Sequence, residues 1–247
     1  MRTNEREEQI IALLREQSFI SVQELAARLF VSPSSIRRDL TRLEAKGVVR
    51  RNYGGVVAAG GNPTAPPIAI RSEVHKAAKR AIAKKASLLL HNDLSILLDD
   101  STTTAALPEF IAPYQNISLF TNNIETALSA TEYGIRSYLL GGALPSDSAT
   151  VTTGKFALEM LRSIHVDICF FSTSALSLKG ELFDSTEKHN LLRREMLERA
   201  SLRVCLCDSS KFGRTSLYLS TRLCDIDYLC TDAPLPAEIP LGKAKLL

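Results

Sequence analysis

A chain of 247 residues with 45% hydrophobic content can bury a sizeable core, and its length suits one large domain or a small one attached to a larger one. It has no Trp and few aromatics, which argues against a sugar-stacking surface, and its five Cys form no C-x-x-C spacing, which argues against a disulfide scaffold. No run approaches the roughly 18 consecutive apolar residues needed to span a bilayer, so the expected location is the cytoplasm, with no membrane partner. The formal net charge of +3 is that of residues 1–57 alone, where ten Lys/Arg face seven Asp/Glu; the rest of the chain is balanced. Within Arg28–Arg51 seven basic residues stand against two acidic ones, the footprint of a nucleic-acid-binding module.

Asn4 with Glu7 reads as a capping box, opening a helix that runs to about Gln17. Ser21 with Glu24 repeats the device and starts a second helix through Leu25, Ala26 and Leu29. Only Phe30 and Val31 separate it from Ser32-Pro33, an N-cap followed by a proline at the first helical position, with Val31 placed to staple against Ile36. In this third helix Ile36, Leu40 and Leu43 form one apolar stripe, leaving Ser34, Ser35, Arg37, Arg38, Thr41 and Arg42 on the outer face. Two capped helices joined by so short a turn, the second carrying arginines, predict a helix-turn-helix whose outer face lies in a DNA major groove. After Gly47, the segments Val48-Val49-Arg50-Arg51 and Val56-Val57 flank Asn52-Tyr53-Gly54-Gly55, which predicts a basic hairpin, a wing, that offers Arg50 and Arg51 to the phosphate backbone. Gly60–Pro67 is dense in helix and strand breakers, so the expected organisation is a DNA-binding module at 1–57, a linker at 58–67 and a second domain at 68–247.

Beyond the linker, helices alternate with short apolar strands. Helices are expected at Glu73–Leu90, Thr102–Phe110, Asn123–Ala130, Lys155–Ser163 and Ser185–Ala200. Strands are expected at Ser95–Leu98, Ser118–Thr121, Arg136–Leu140, Val166–Phe171, Arg203–Cys207 and Asp227–Thr231. That alternation predicts an α/β domain with a doubly wound parallel sheet, whose ligands bind at the carboxyl ends of the strands.

Four polar clusters fall at those ends. Asp99-Asp100-Ser101-Thr102-Thr103-Thr104 places hydroxyls beside a helix start, suited to phosphate without a P-loop lysine. Thr121-Asn122 ends the next strand, and Gly141-Gly142 the one after, where missing Cβ atoms would let backbone N–H groups approach a ligand. Asp208-Ser209-Ser210-Lys211 offers a carboxylate and an ammonium. Together they describe a pocket for a small polyhydroxylated anion such as a sugar phosphate. Of the four histidines only His189 is expected near it. Cys205 and Cys207 read as core thiols rather than metal ligands, and no cofactor or catalytic group is called for.

With these residues in view the sequence resembles the DeoR family of transcriptional regulators over essentially its whole length. The N-terminal marks are Glu24-Leu25-Ala26, Val31-Ser32, Ile36-Arg37-Arg38-Asp39-Leu40, Leu43-Glu44, Gly47, Arg50 and Gly54-Gly55. The C-terminal marks are Lys76, Asp99 with Thr102-Thr103, Thr121-Asn122, Gly141-Gly142, Gly154 and Asp208–Gly213. The resemblance implies a repressor of a sugar-catabolism operon, with a C-terminal domain similar to ribose-5-phosphate isomerase that binds a phosphorylated sugar as inducer. It implies that Arg37 and Arg38 belong to the recognition helix and that Asp99, Thr102, Thr103, Thr121, Asn122, Gly141, Gly142 and Lys211 fall at the effector site. Ser101, where many members have Gly, and Ser172-Thr173-Ser174-Ala175, where they often have a Gly-rich segment, depart from the pattern, so the identity of the sugar does not transfer.

The expected partners are therefore operator DNA, a phosphorylated sugar and further copies of the chain. Two other readings stand beside this one. A sugar-phosphate isomerase would use Asp208, Lys211 or Glu187 for proton transfer, but has no use for the basic module. A DNA-binding protein whose sheet domain only oligomerises would leave the strand-end clusters without a task.

Overall fold

The computed structural model describes residues 3–16, 19–52, 55–58, 71–72, 74–145 and 150–247, and the chain divides into two compact units, Met1–Val74 and His75–Leu247. Apart from Ala58, the expected linker lies outside the described residues, as do Tyr53 and Gly54 of the hairpin turn.

The first unit carries helices α1 (Thr3–Glu16), α2 (Val22–Arg28) and α3 (Pro33–Ala45), with strands β1 (Ile20–Ser21), β2 (Val49–Asn52) and β3 (Gly55–Ala58) in the order β1-β3-β2. Ser21 Oγ accepts from the N–H of Glu24 at 3.0 Å and Ser32 Oγ from that of Ser35 at 3.3 Å, so both caps form where the sequence places them. Between them the chain turns by bonding Val31 N–H to Ala26 O at 3.0 Å and Phe30 N–H to Ala27 O at 3.4 Å, with Phe30 left-handed at φ 53°. Ile10, Leu14, Leu25, Ile36, Leu40, Leu43, Val49 and Val56 form one core, against which Val31 packs.

Three expectations are corrected. Asn4 lies inside α1, and the Glu7 carboxylate bonds Arg42 and Lys46, so the two do not form a capping box. Val48 is exposed outside the sheet, which gains β1 at its other edge. Gly55 is required there rather than in the turn: a Cβ would stand 2.3 Å from the Phe19 ring and 2.4 Å from Ile20 O.

The second unit holds a seven-stranded sheet, β4 (Ser95–Leu98), β5 (Ser118–Thr121), β6 (Arg136–Leu139), β7 (Val166–Ser172), β10 (Ala200–Leu206), β12 (Tyr228–Cys230) and β13 (Lys245–Leu246), ordered β13-β12-β10-β7-β4-β5-β6 with every pairing parallel. Helices α4 (Lys76–Ala86), α5 (Pro108–Ile111) and α6 (Ile124–Glu132) bury Ile82, Ile111 and Ala130 on one face, and α7 (Lys155–Arg162) and α8 (Glu187–Glu198) bury Leu161, Leu192 and Met196 on the other. The chain runs from β4 outward through β5 to β6, then returns to place β7 on the far side of β4. The ends of β4 and β7 therefore flank the topological switch point, where open α/β sheets bind their ligands.

The expected helix Thr102–Phe110 is instead a 3₁₀ turn, Thr104–Ala106, followed by the short α5. Pro108, with no N–H to give, divides them. A second sheet was not anticipated: β8 (Ala175–Leu176), β9 (Glu181–Asp184) and β11 (Tyr218–Arg222) pair antiparallel in the order β11-β9-β8. Cys205 and Cys207 are buried thiols, as expected; Cys169 and Cys230 are buried too, and Cys224 is exposed. Among the described residues no helix is long and apolar enough to cross a membrane, and no group of three His, Cys, Asp or Glu could hold a metal ion.

Candidate functional site

On α3 the outer face divides into cations that are held and cations that are not. Asp39, buried within the arginine-rich helix, accepts from Arg6 on α1, with Nη2 at 3.0 Å, and from Arg42. Arg42 Nε also reaches Glu7 Oε1 at 3.0 Å, and Lys46 Nζ reaches Glu7 Oε2 at 2.6 Å. Arg42, expected on the DNA, thus ties α3 to α1. Lys46 and Arg42 hold the buried Glu7 carboxyl below the usual range despite its burial, and Asp39 raises the Arg6 guanidinium further. Arg51 Nη1 donates to Thr41 Oγ1 at 3.0 Å, and that hydroxyl donates to Arg37 O. Arg37, Arg38 and Arg50 are exposed and have no side-chain partner among the described residues. Ser34 is exposed, with its hydroxyl 2.9 Å from that of Ser32, while Ser35 is half-buried against the same cap.

At the strand ends of the second unit, Asp99 follows β4 and is fully buried. Its Oδ1 accepts from Ser101 N–H at 3.0 Å and Thr104 Oγ1 at 2.6 Å; its Oδ2 accepts from Ser172 N–H at 2.8 Å and from Arg193 Nη1. Arg193 Nε in turn donates to Asp184 Oδ2 at 2.7 Å, which also accepts from Ser220 Oγ at 2.7 Å. Asp99, Ser101 and Thr104, expected to touch ligand, thus form an internal knot that fixes the loop. Thr103 is buried with Oγ1 3.5 Å from Ser172 Oγ, and Thr102 is half-buried.

Around this knot stand two further ion pairs. Lys211 Nζ lies 3.0 Å from Ser172 Oγ and 3.1 Å from Asp208 Oδ2. Burial alone would lower the Lys211 ammonium, but Asp208 outweighs it and raises it; the same pairing depresses Asp208 against its own burial. His189 Nδ1 is 2.7 Å from Asp100 Oδ2, so the histidine does lie at the strand ends. Burial disfavours its cation, yet Asp100 prevails and the imidazole pKa is raised.

Thr121 and Asn122 are buried at the end of β5, one strand out from β4. Asn122 Nδ2 donates to Thr152 O at 3.1 Å, which fixes the amide, and its Oδ1 has no partner. Asn123 Nδ2 reaches Asp100 O at 3.4 Å, joining this cluster to the first. Gly141 and Gly142 follow the edge strand β6, two strands from β4. A Cβ on Gly142 would stand 2.5 Å from Thr153 O, so its bareness admits the protein's own backbone; Gly141 faces open space. The structure therefore gathers Thr103 and Lys211 at the switch point with Ser172 and Asp208, with Thr102 beside Thr103 in the chain, and leaves the two glycines outside that group.

Arg193 and Asp184 were not anticipated. One signal was present for the arginine: His189, Arg193 and Met196 share a helical face, and Leu192 and Leu197 flank it, so a cation there had to enter the interior with a counter-charge.

A family model described as the DeoR-like helix-turn-helix domain matches residues 6–60, and one described as the DeoR C terminal sensor domain matches residues 74–233. The HTH-type transcriptional regulator GolR of Listeria innocua is 31% identical over 92% of this chain and 90% of its own length. The L-fucose operon activator of Haemophilus influenzae is 30% identical over 96% and 94%, and the glycerol-3-phosphate regulon repressor of Escherichia coli K12 is 27% identical over 97% and 94%. Among solved structures, a D-ribose-5-phosphate isomerase in complex with phospho-erythronic acid is similar over 54% of this chain and 52% of that chain, at 16% identity and a TM-score of 0.41.

Proposed function

The chain belongs to the DeoR family of transcriptional regulators, and from that membership we propose how its two units divide the work. It is a DNA-binding regulator of sugar metabolism rather than an isomerase; the relatives whose length it shares are named as a transcriptional regulator, an L-fucose operon activator and a glycerol-3-phosphate regulon repressor. Arg37, Arg38 and Arg50, with Ser34 at the front of α3, contact the operator. The support is that the three arginines have no side-chain partner among the described residues, since a guanidinium held by Glu7 and Asp39 must give up that pairing before it can meet a phosphate. The chain acts as a homo-oligomer, because two recognition helices are needed to read two half-sites. It acts as a repressor, as the glycerol-3-phosphate regulon relative is named.

The effector is a phosphorylated sugar bound at the switch point, its phosphate on Lys211, Thr102 and Thr103 and its hydroxyls towards Asn122. The single observation that carries this is the Lys211 ammonium, kept charged and aimed at the Ser172 hydroxyl next to Thr103. A second observation favours an unphosphorylated polyol: Asp99 and Asp184 share one arginine, which leaves an excess carboxylate charge, and the unpartnered Asn122 Oδ1 accepts from a hydroxyl. A thermal-shift panel of sugars, each tested with and without its phosphate, decides between them, because a ligand that binds only the folded chain raises its melting temperature by mass action. Shifts confined to the phosphorylated members support the first reading. Equal shifts support the second.

A further inference from the structure

Three helices end in the same closure, in which the second residue past the cap bonds back five positions and the residue before it is left-handed. In α3 Val48 N–H bonds Leu43 O, in α6 Ile135 N–H bonds Ala130 O, and in α2 Val31 N–H bonds Ala26 O, each at 3.0 Å. The left-handed position is Gly47 in α3 and Gly134 in α6, the residue that adopts it without steric penalty. In α2 it is Phe30, at φ 53°. A bulky side chain is strongly disfavoured there, and packing returns nothing: Phe30 is 94% exposed, the most exposed large hydrophobic residue among those described. Two local costs therefore coincide at one position that the fold alone would fill with Gly or Asn.

The position is two residues before the Ser32 cap of α3. Val31 packs half-buried against the core and its N–H bonds Ala26 O, so Phe30 projects from a fixed turn, followed by exposed Ser32, Pro33 and Ser34 and then by Arg37 and Arg38, which have no side-chain partner among the described residues. A recognition helix enters the major groove N-terminus first and carries the residues just ahead of its cap to the duplex with it. We propose that Phe30 is an apolar DNA contact of the recognition helix, its ring packing on a thymine 5-methyl group or on the apolar face of a deoxyribose. The proposal rests on the DNA-binding reading of the first unit and adds to it a contact that no charge pattern indicates.

The test uses the full chain and a duplex selected by the wild-type chain from a random pool. Phe30→Asn relieves the backbone, because Asn tolerates the left-handed region, so it should melt a few degrees higher than wild type. The same variant should bind the selected duplex about tenfold more weakly, while Phe30→Leu keeps most of the affinity. A gain in stability with a loss of affinity is a pair of signs that damage to the fold would not produce. Repeating the titrations with deoxyuridine in place of thymidine separates the two surfaces: a thymine contact brings wild type down to Phe30→Asn, whereas a deoxyribose contact leaves their ratio unchanged. Wild-type affinity in Phe30→Asn, with or without a change in oligomeric mass, overturns the contact. A wild-type chain that selects no duplex overturns the DNA-binding reading itself.

Discussion

The backbone N–H of Ser172 donates to Oδ2 of Asp99 at 2.8 Å, across 73 positions of sequence and across the gap between the ends of β7 and β4. The same oxygen takes Arg193, and Arg193 takes Asp184 from the small antiparallel sheet. One buried guanidinium thus fixes β4, β9 and α8 around the switch point. Removing it leaves two carboxylates in a dry interior without their counter-charge.

Arg193→Met should therefore destabilise the chain by ~3–5 kcal/mol, far more than loss of an exposed, solvent-screened ion pair such as Arg80–Glu109. Urea unfolding of Arg193→Met beside Arg80→Met compares them directly. Similar midpoints for the two variants would mean that the knot around Asp99 closes without the arginine.

The partition of arginines in the first unit predicts two classes of variant. Arg38→Ala should leave stability unchanged and weaken operator binding by ~1–3 kcal/mol with relaxed sequence preference; Arg50→Ala should weaken all sequences alike and lower the salt slope by about one. Arg42→Ala should act the other way, lowering stability first, because Asp39 and Glu7 lose a partner. Affinity and melting temperature measured on all three variants test the division. An Arg42→Ala chain with wild-type stability and weak binding would return Arg42 to the DNA contacts.

Much of this was legible in the sequence because it was local. The caps at Ser21 and Ser32, the apolar stripe of α3 and the strands of the parallel sheet each depend on residues within a few positions of one another. The internal partners of Arg42 and Asp99 stayed hidden for the opposite reason. A guanidinium on a solvent face and a carboxylate at a strand end look available for a ligand until their partners, Glu7 at 35 positions' remove and Ser172 at 73, are brought in by tertiary folding. The antiparallel sheet escaped because β8 has only two residues and β11 carries a register shift, so neither shows a clean alternation.

Glu7 gives the first unit an acid-sensitive component. Lys46 and Arg42 keep its native pKa below the unfolded value of about 4.3, so its contribution is fully present above that pH and disappears as pH falls through the native value. Glu7→Gln should be less stable than wild type at neutral pH, and the difference should close on acidification. Melting curves of both chains at successive pH values measure it. A gap that stays constant from neutral to ~pH 3 would show that Glu7 acts through packing and not through charge.

A ligand at the strand ends reaches DNA binding by the other unit through the conformational equilibrium of the chain. An effector shifts the equilibrium only by the difference in its affinity for the DNA-competent and the other arrangement of the chain. Lys211→Met removes the ammonium beside Ser172 and leaves the buried Asp208 with Ser210 alone among the described residues, which lowers stability, while operator binding by the first unit should persist and the response to effector is lost. Thr103→Val, which deletes one hydroxyl at nearly constant volume, should weaken the response without abolishing it. Reciprocity sets a further condition: saturating operator must change the affinity for effector by the same factor by which effector changes the affinity for operator. Titrating the sugar that emerges from the thermal-shift panel, with and without the selected duplex, gives both factors. An effector response that survives Lys211→Met unchanged would mean that the switch point is not the site through which the sugar acts.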